Sequence, residues 1–330
     1  MKRYTLLILT VLMLAPLLPF AELSPDLEDD LTPSRSSGAP SVTLTENYFP
    51  VISTGNEHAC AILGDGSLKC WGRNNHGQLG DGTIIDRNTP TQTSSLGNGR
   101  SAVAISAGYW HTCAILDDGS MKCWGSNGLG RLGDGTTDNA LVPTLVDLGS
   151  PRTGVSVSAG DVHTCAIIDN GAVSCWGGGT VGQLGNGATT SKSTPTSTSS
   201  LGTNRTAVAI SSGSYHTCAI LDNGAVSCWG WGPFGELGNG GTTQKKTPTL
   251  TSSLGTNRTA VAISSGYLYT CAILDNGSVS CWGEGSNGQL GNGATTSKST
   301  PTLTSSLGTN RTAVSISSGN AHTCVALDNG

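Results

Sequence analysis

A segment of about fifteen residues recurs along the chain, and its cysteines repeat at intervals of 52 or 53 residues. One copy runs from His111 to Gly125, and a shorter copy ends the sequence from His322 to Gly330. A fixed period near 50 residues is typical of solenoids, propellers and repeat arrays, in which each repeat is one supersecondary unit. The repeats therefore determine the architecture, and the residues between them provide the spacing.

Each copy has the pattern of a β-hairpin. In the copy at 111–125, two apolar runs, Cys113–Leu116 and Met121–Trp124, flank Asp-Asp-Gly. A three-residue loop of this kind ends in a left-handed residue, a conformation that glycine adopts without steric cost. The loop places Cys113 opposite Cys123 at a non-hydrogen-bonded site, where the Cα atoms lie roughly 4.5 Å apart. We therefore predict five cross-strand disulfides. They are Cys60–Cys70, Cys113–Cys123, Cys165–Cys175, Cys218–Cys228 and Cys271–Cys281.

Metal binding is the alternative use of these residues. His111 and Cys113 lie two positions apart, so they share one face of a strand and could bind a metal ion together with Cys123. Zinc sites usually use shorter steps between cysteines, and the fifth copy has Tyr269 in place of the histidine. We therefore expect no metal and no other cofactor. We interpret the histidine as a hydrogen-bonding residue at the end of a strand.

Four short strands fit within one repeat. Between the third and fourth copies they are predicted at 195–201, 207–211, 217–221 and 225–229, and no segment has a helical period longer than a turn. The 47 glycines and the abundance of Ser and Thr suit many tight turns and pleated strands. The predicted fold class is therefore all-β, with the blades of a β-propeller.

The ends of the chain differ from the repeats. Residues 1–21 have a positive start and an apolar run, as in a secretory signal peptide, and 22–45 form a polar linker. We predict the repeat region at 46–330, with a first strand near 43–52. The last hairpin stops at Gly330, so we expect the natural protein to continue and to supply a partner for Cys324. We expect no membrane span beyond the signal peptide.

Cysteine usage and charge restrict the compartment and the partners. Ten pairable cysteines behind a signal peptide indicate an oxidising, extracytoplasmic location, secreted or at the cell surface. The net charge is −5 and no basic cluster is present, so nucleic acid is not an expected partner. Asn204, Asn257 and Asn310 each begin Asn-Arg-Thr, and Asn276 begins Asn-Gly-Ser, which match the glycosylation acceptor pattern. Repeat copying is the simpler explanation of the first three, and glycosylation is the alternative if the host has the machinery.

Two further motifs frame each hairpin. Trp-Gly precedes a glycine-rich segment, as at Trp71–Gly82 and Trp282–Gly293, and Ser-Ala-Gly precedes the histidine, as at Ser106–Ala114. Through these motifs, residues 51–330 resemble the repeat of the regulator of chromosome condensation family. The resemblance implies a propeller of seven blades when complete, of which about five and a half repeats are present. It also implies that the glycines and the Trp-Gly pair are structural.

The function of that family does not transfer directly, because one fold serves many functions. Its eukaryotic founder is a nuclear exchange factor for the Ran GTPase, and secretion, acidity and disulfides argue against that role here. Secreted bacterial relatives include a β-lactamase inhibitor that binds its target with one propeller face. The resemblance therefore implies a binding surface more readily than an exchange activity.

Residues that deviate from the repeat are the candidates for a site. Deviations occur just before each histidine and just after each Trp-Gly, where successive blades would form a ring on one face. The aromatic candidates are Tyr109, Trp110, Tyr215, Trp231, Phe234 and Tyr267. We expect a non-catalytic module that binds an extracellular protein through this face, since aromatic residues often anchor interfaces. The alternatives are ordinary loop packing, a carbohydrate-binding module, and a propeller lyase or hydrolase, for which no catalytic residues stand out.

Overall fold

A computed structural model describes residues 51–330, and these residues form strands and turns but no helix. The predicted signal peptide and linker, and the beginning of the predicted first strand, lie outside the described residues. Within 51–330 there is accordingly no helix long and apolar enough to cross a membrane. Twenty-two strands form five four-stranded sheets and a final two-stranded sheet, which we call blades 1 to 6.

The strands of the first three blades follow one another along the chain. Blade 1 contains β1 (Val51–Thr54), β2 (His58–Ile62), β3 (Leu68–Gly72) and β4 (Arg87–Gln92). Blade 2 contains β5 (Ala102–Ala107), β6 (His111–Leu116), β7 (Met121–Gly125) and β8 (Ala140–Val146). Blade 3 contains β9 (Gly154–Ala159), β10 (His163–Ile168), β11 (Val173–Gly177) and β12 (Lys192–Ser197).

The remaining blades keep the same order. Blade 4 contains β13 (Ala207–Ser212), β14 (His216–Leu221), β15 (Val226–Gly230) and β16 (Lys245–Leu250). Blade 5 contains β17 (Ala260–Ser265), β18 (Tyr269–Leu274), β19 (Val279–Gly283) and β20 (Lys298–Leu303). Blade 6 contains β21 (Ala313–Ser318) and β22 (Thr323–Leu327). The predicted all-β propeller with four-stranded repeats is confirmed.

Every blade is an antiparallel meander in which each strand pairs with the next one in sequence. The first strands of successive blades, such as β1, β5 and β9, contact one another, so they surround the centre of the molecule. The fourth strand of each complete blade is an edge strand and carries a proline, which has no N–H to offer to a further strand. These prolines are Pro90, Pro143, Pro195, Pro248 and Pro301.

The central hairpin of each complete blade has the predicted loop and disulfide. In blade 2 the Leu116 N–H donates to the carbonyl of Ser120 at 2.9 Å, and Gly119 is left-handed with φ of 77°. Cys113 lies opposite Cys123 in the ladder. All five predicted disulfides are present, each with a Cα–Cα distance of 4.1 Å. The spacing of turn and cysteines was therefore sufficient to predict the register.

The fourth strand lies earlier than predicted. In blade 3 it spans Lys192–Ser197, whereas the sequence pattern indicated 195–201. The pairing between β11 and β12 shifts register between Cys175 and Gly177, which brings Gly177 opposite Lys192. This irregularity extends the pairing toward the start of β12. The alternation of residues in the sequence does not reveal the shift, so the predicted strand began too late.

Tryptophan side chains join successive blades. Trp124 of blade 2 is fully buried, and its Nε1–H donates to the carbonyl of Gln78 in blade 1 at 3.0 Å. Gly80 is left-handed, with φ of 68°, and a Cβ at this position would lie 2.7 Å from Nε1 of Trp124. Three further pairs repeat this contact: Gly133 with Trp176, Gly185 with Trp229, and Gly238 with Trp282. The glycine and the tryptophan therefore form one inter-blade contact, made with the preceding blade.

The histidines form a second inter-blade contact. Nε2 of His58 lies 2.8 Å from Oγ1 of Thr112, and this hydroxyl donates to the carbonyl of Gln78 at 2.8 Å. Because the threonine proton is used for the carbonyl, Nε2 of His58 must carry the proton that it donates. Three further pairs repeat the bond: His111 with Thr164, His163 with Thr217, and His216 with Thr270. The predicted role of the histidines as hydrogen-bonding residues is confirmed.

Candidate functional site

Two sets of loops share one face of the propeller, which we call the loop face. The first set joins the first and second strands of each blade, and the second set joins the third and fourth strands. The two sets are bonded to each other, because Ser126 N–H donates to the carbonyl of Trp110 and Trp231 N–H donates to that of Tyr215, at 2.8 and 2.9 Å. All six predicted aromatic residues therefore lie on the loop face.

The opposite face, which we call the back face, carries the hairpin turns and a repeated ion pair. Arg100 and Asp117 form one such pair at 3.4 Å, and both side chains are about two-fifths exposed. The other pairs are Arg152–Asp169, Arg205–Asp222, Arg258–Asp275 and Arg311–Asp328. Exposed pairs of this kind contribute about 1 kcal/mol at most. Apart from a second contact of Arg100 with Asp118 at 3.1 Å, the ion pairs of this face within residues 51–330 therefore follow the repeat.

The recurring Asn-Arg-Thr has a structural explanation on the back face. Asn204 is left-handed, with φ of 55°, and the equivalent position before blade 2 is Gly99, with φ of 68°. Asparagine tolerates this conformation better than most residues other than glycine. Asn257 and Asn310 have the same φ within one degree. The recurrence is therefore explained by backbone geometry, as repeat copying predicts.

The centre of the loop face is a depression of about 320 Å³. Equivalent residues of all six blades line it, mainly the ends of the first strands and the glycine and the residue that follow them. Tyr109, Asp161 and Tyr267 lie at this position in blades 2, 3 and 5. The structure thus brings two of the predicted aromatic residues to the centre, together with an aspartate.

The other four predicted residues lie around this centre and differ in how far they are packed. Trp110 contacts Tyr109 edge-on, with ring centroids 4.7 Å apart, and His76 of blade 1 at 5.1 Å. Phe234 and Tyr267 are the most exposed of the six, with 39% and 38% of their surface accessible. Ordinary loop packing therefore accounts for Trp110, whereas Phe234 and Tyr267 are available to a partner.

One position next to the loop face was not among the six aromatic candidates. Gln183 in blade 3 accepts a hydrogen bond from the N–H two residues earlier, at 3.0 Å, and Glu236 in blade 4 accepts the same bond from Phe234 at 2.9 Å. At the equivalent position in blade 2, Arg131 instead donates to the carbonyl of Asp161 at 2.8 Å. Aligning the repeats on the tryptophan reveals this position, where glutamine alternates with charged residues.

Burial determines the charge of these groups. The pKa of Glu236 is raised to about 7, mainly by burial and also by the neighbouring charge of Glu284, although backbone N–H groups lower it. Oε1 of Glu236 is buried and has no hydrogen-bond partner among residues 51–330. Burial also raises the pKa of Asp161, against the effects of Ser214 and Arg131. His76 and Glu236 both deviate from the repeat, but they lie in blades 1 and 4 and are not brought together.

The cysteine and histidine positions do not form a metal site. The sulfur atoms of Cys113 and Cys123 are bonded to each other, so two of the three proposed ligands are already used. His111 is fully buried against Thr164, and burial holds its pKa well below the usual range. Among residues 51–330, no group of three or more histidine, cysteine or acidic side chains has the geometry to hold a metal ion.

Comparison with known families decides the relationship. A model of the "Regulator of chromosome condensation (RCC1) repeat" matches five segments, 65–115, 118–167, 170–220, 223–273 and 276–326. The chain belongs to the regulator of chromosome condensation repeat family. The matched segments cover most of the residues that the structure describes, and each spans the third and fourth strands of one blade and the first two strands of the next.

Individual relatives share part of this repeat array. The chain is 31% identical over 261 residues to the ultraviolet-B receptor UVR8 of Arabidopsis thaliana, covering 79% of this chain and 59% of UVR8. It is 31% identical over 258 residues to the human E3 ubiquitin-protein ligase HERC2, covering 78% of this chain and 5% of HERC2. The chain therefore spans less than two thirds of the length of these relatives, and their whole activities belong to longer proteins.

Solved structures show the same fold at low sequence identity. Human WBSCR16 has a TM-score of 0.72 and 19% identity, with 83% of this chain and 71% of that chain covered. Yeast RCC1 (Prp20), in a crystal structure bound to Kap60, also has a TM-score of 0.72 and 19% identity, with 84% and 68% covered. Both similarities support the propeller architecture.

Proposed function

We propose that this chain is a secreted or cell-surface propeller that binds another protein through its loop face and has no catalytic activity of its own. The observation that supports this most directly is the exposure of Phe234 and Tyr267 on a frame whose other positions repeat. Interfaces are anchored by a few aromatic residues held on a rigid support. Yeast RCC1, a similar propeller, is bound to another protein in its crystal structure.

The location and the lack of catalysis have separate support. Five disulfides in 280 residues suit an oxidising compartment, because cytosolic proteins rarely keep structural disulfides. Four of the histidines bond a threonine of the next blade, and burial lowers the pKa of His58 and His216 to about 4. These histidines are neutral, and their Nε2 atoms are already hydrogen-bonded to threonine, which does not suit a general base.

Capture from the extracellular proteins of the source organism tests the binding role. The bait is the oxidised chain, and the test variant combines Phe234→Ala with Tyr267→Ala. The matched control combines Leu250→Ala with Leu303→Ala, since each leucine is 57% exposed and lies on a fourth strand, away from the loop face. We expect proteins that are captured by the wild type and the control and are lost with the test variant.

Three results would contradict the proposal. Equal capture by all three baits would place binding elsewhere on the molecule. Sugar binding on a glycan array that Trp231→Ala abolishes would favour the carbohydrate-binding alternative, because an indole stacks well on sugar rings. Turnover of a metabolite or polysaccharide by the wild type would favour an enzyme.

A further inference from the structure

Groups from four blades converge at the centre of the loop face. Tyr109, Asp161 and Tyr267 line the central depression, and Tyr215 follows Ser214, which also lines it. Burial raises the pKa of Tyr267, and Tyr215, Asp161, Tyr109 and Glu284 raise it further. Two phenol rings and one carboxylate, from Tyr109, Tyr267 and Asp161, therefore line the same depression.

We propose that this centre, which we call the tyrosine–aspartate cup, receives a single lysine or arginine side chain of the partner protein. The inference rests on the proposed function and specifies the chemistry of its partner. The cup is defined by Tyr109, Asp161 and Tyr267, which line the depression.

The charge of the cup favours a cation. None of the residues that line the depression is a lysine or an arginine. Within residues 51–330, the Asp161 carboxylate forms no ion pair within 4.0 Å, although eight other ion pairs are present. The nearby Arg131 is 6% exposed and directs Nη1 to the backbone carbonyl of Asp161. Ser214 and Arg131 both stabilise the charged carboxylate, but Arg131 does so from beyond ion-pair distance, which leaves an ion-pair position open to a cation of the partner.

The shape and surface of the cup favour a long basic side chain. Glycine and serine form much of the wall, as at Gly160, Gly213 and Gly266, which leaves room between the tyrosines. The faces of tyrosine rings attract ammonium and guanidinium groups, and the aliphatic stem of lysine or arginine packs on aromatic surface. A carboxylate or phosphate at this place would meet the Asp161 carboxylate with no lysine or arginine in the lining of the depression, so an anionic partner group is disfavoured.

An oriented peptide library tests the cup directly. The probe is a set of immobilised nonapeptides with a fixed central residue, which is lysine, arginine, norleucine or glutamate, and random flanking residues. We expect the wild-type chain to retain peptides with central lysine or arginine roughly ten times as strongly as peptides with central norleucine. This ratio is what aromatic rings and one carboxylate together contribute to the binding of a cation. The preference should weaken at high salt, because added ions screen the charge of Asp161.

Two substitutions of Asp161 make the test specific. Asp161→Asn keeps the size of the side chain and removes its charge, so the preference for central lysine should fall roughly threefold while folding is unchanged. Asp161→Lys should shift the preference toward central glutamate, a result that a purely structural role would not produce. Leu303→Ala serves as the matched control and should behave as the wild type.

The outcomes separate this inference from the proposed function. Equal retention of all four central residues, or a lysine preference that survives both substitutions, would overturn the cup. If the cup fails in this way but capture of a protein partner still depends on Phe234 and Tyr267, the loop face remains the binding surface. If that capture is also independent of Phe234 and Tyr267, the proposed function fails as well.

Discussion

Replacing Glu236 by glutamine should stabilise the protein above neutral pH and change little at acidic pH. Glu236 is fully buried, and its Oε2 accepts the N–H of Phe234 while Oε1 has no partner within 51–330. Gln183 and Gln289 occupy the same position in blades 3 and 5 and accept the same bond with Oε1. Glu236→Gln therefore keeps the contact and removes a titrating group.

The magnitude follows from the two pKa values of Glu236. The ordinary pKa of a glutamate is 4.5, and burial raises that of Glu236 to about 7 in the folded protein. Between these values the folded state binds more protons than the unfolded state, so the free energy of unfolding decreases as pH rises. Since one pH unit corresponds to about 1.4 kcal/mol per proton, the loss reaches about 3 kcal/mol by pH 8.

Urea unfolding followed by tryptophan fluorescence, with the disulfides intact, measures this effect at pH 5, 6, 7 and 8. We expect the variant to exceed the wild type by about 3 kcal/mol at pH 8 and by less than about 1 kcal/mol at pH 5. The buried histidines titrate equally in both proteins and cancel in the difference. Gln183→Glu is the matched reciprocal and should introduce the same pH-dependent loss. A difference between variant and wild type that does not change with pH would refute the reasoning.

Three further predictions concern the frame. Acid should destabilise the protein between pH 6.5 and 4, because burial keeps four histidines, including His58, neutral in the folded state while the unfolded state protonates them. Urea unfolding of the Glu236→Gln variant measures this loss without the titration of Glu236. Gly133→Ala should lower the free energy of unfolding, measured by thermal unfolding, by about 3 kcal/mol, because its Cβ would lie 2.6 Å from Trp176 Nε1. Gly149→Ala is the control and should lower it by about 1 kcal/mol, because this glycine has φ of 84° but open space around it. A thiol count on unfolded, unreduced protein should find only Cys324, and eleven free thiols would contradict the disulfides.

The repeat made the hairpins predictable, because their register depends on neighbouring residues. Loop length and the ten-residue spacing placed Cys113 opposite Cys123, and the structure confirms all five disulfides. The sequence predicted that His58 forms a hydrogen bond, but it did not identify the partner. Thr112 lies 54 residues away, and only the stacking of one blade on the next brings the two together.

The arrangement of the loop face was less predictable, because it depends on contacts between blades. The sequence indicated one face and six aromatic residues, but it did not separate Trp110, which is packed against His76, from the exposed Phe234. Asp161 was not a candidate, since an isolated aspartate in a loop resembles many turn residues. Its position at the centre, beside Tyr109, follows from the convergence of the first strands.

The hydrogen bonds between blades explain why charged and neutral side chains can replace each other beside the loop face while the backbone of the frame stays the same. The backbone carbonyl of Glu236 accepts hydrogen bonds from Trp282 Nε1 and Thr270 Oγ1. The carbonyl of Arg131 accepts the equivalent two bonds, from Trp176 and Thr164 of blade 3. Every residue type supplies that carbonyl, so the side chain at this position can change without breaking the contact between blades. Glutamine, arginine and glutamate all occur there for this reason. The frame thus fixes the backbone beneath the loop face and leaves the side chains free to differ, which is what a binding surface built on identical repeats requires.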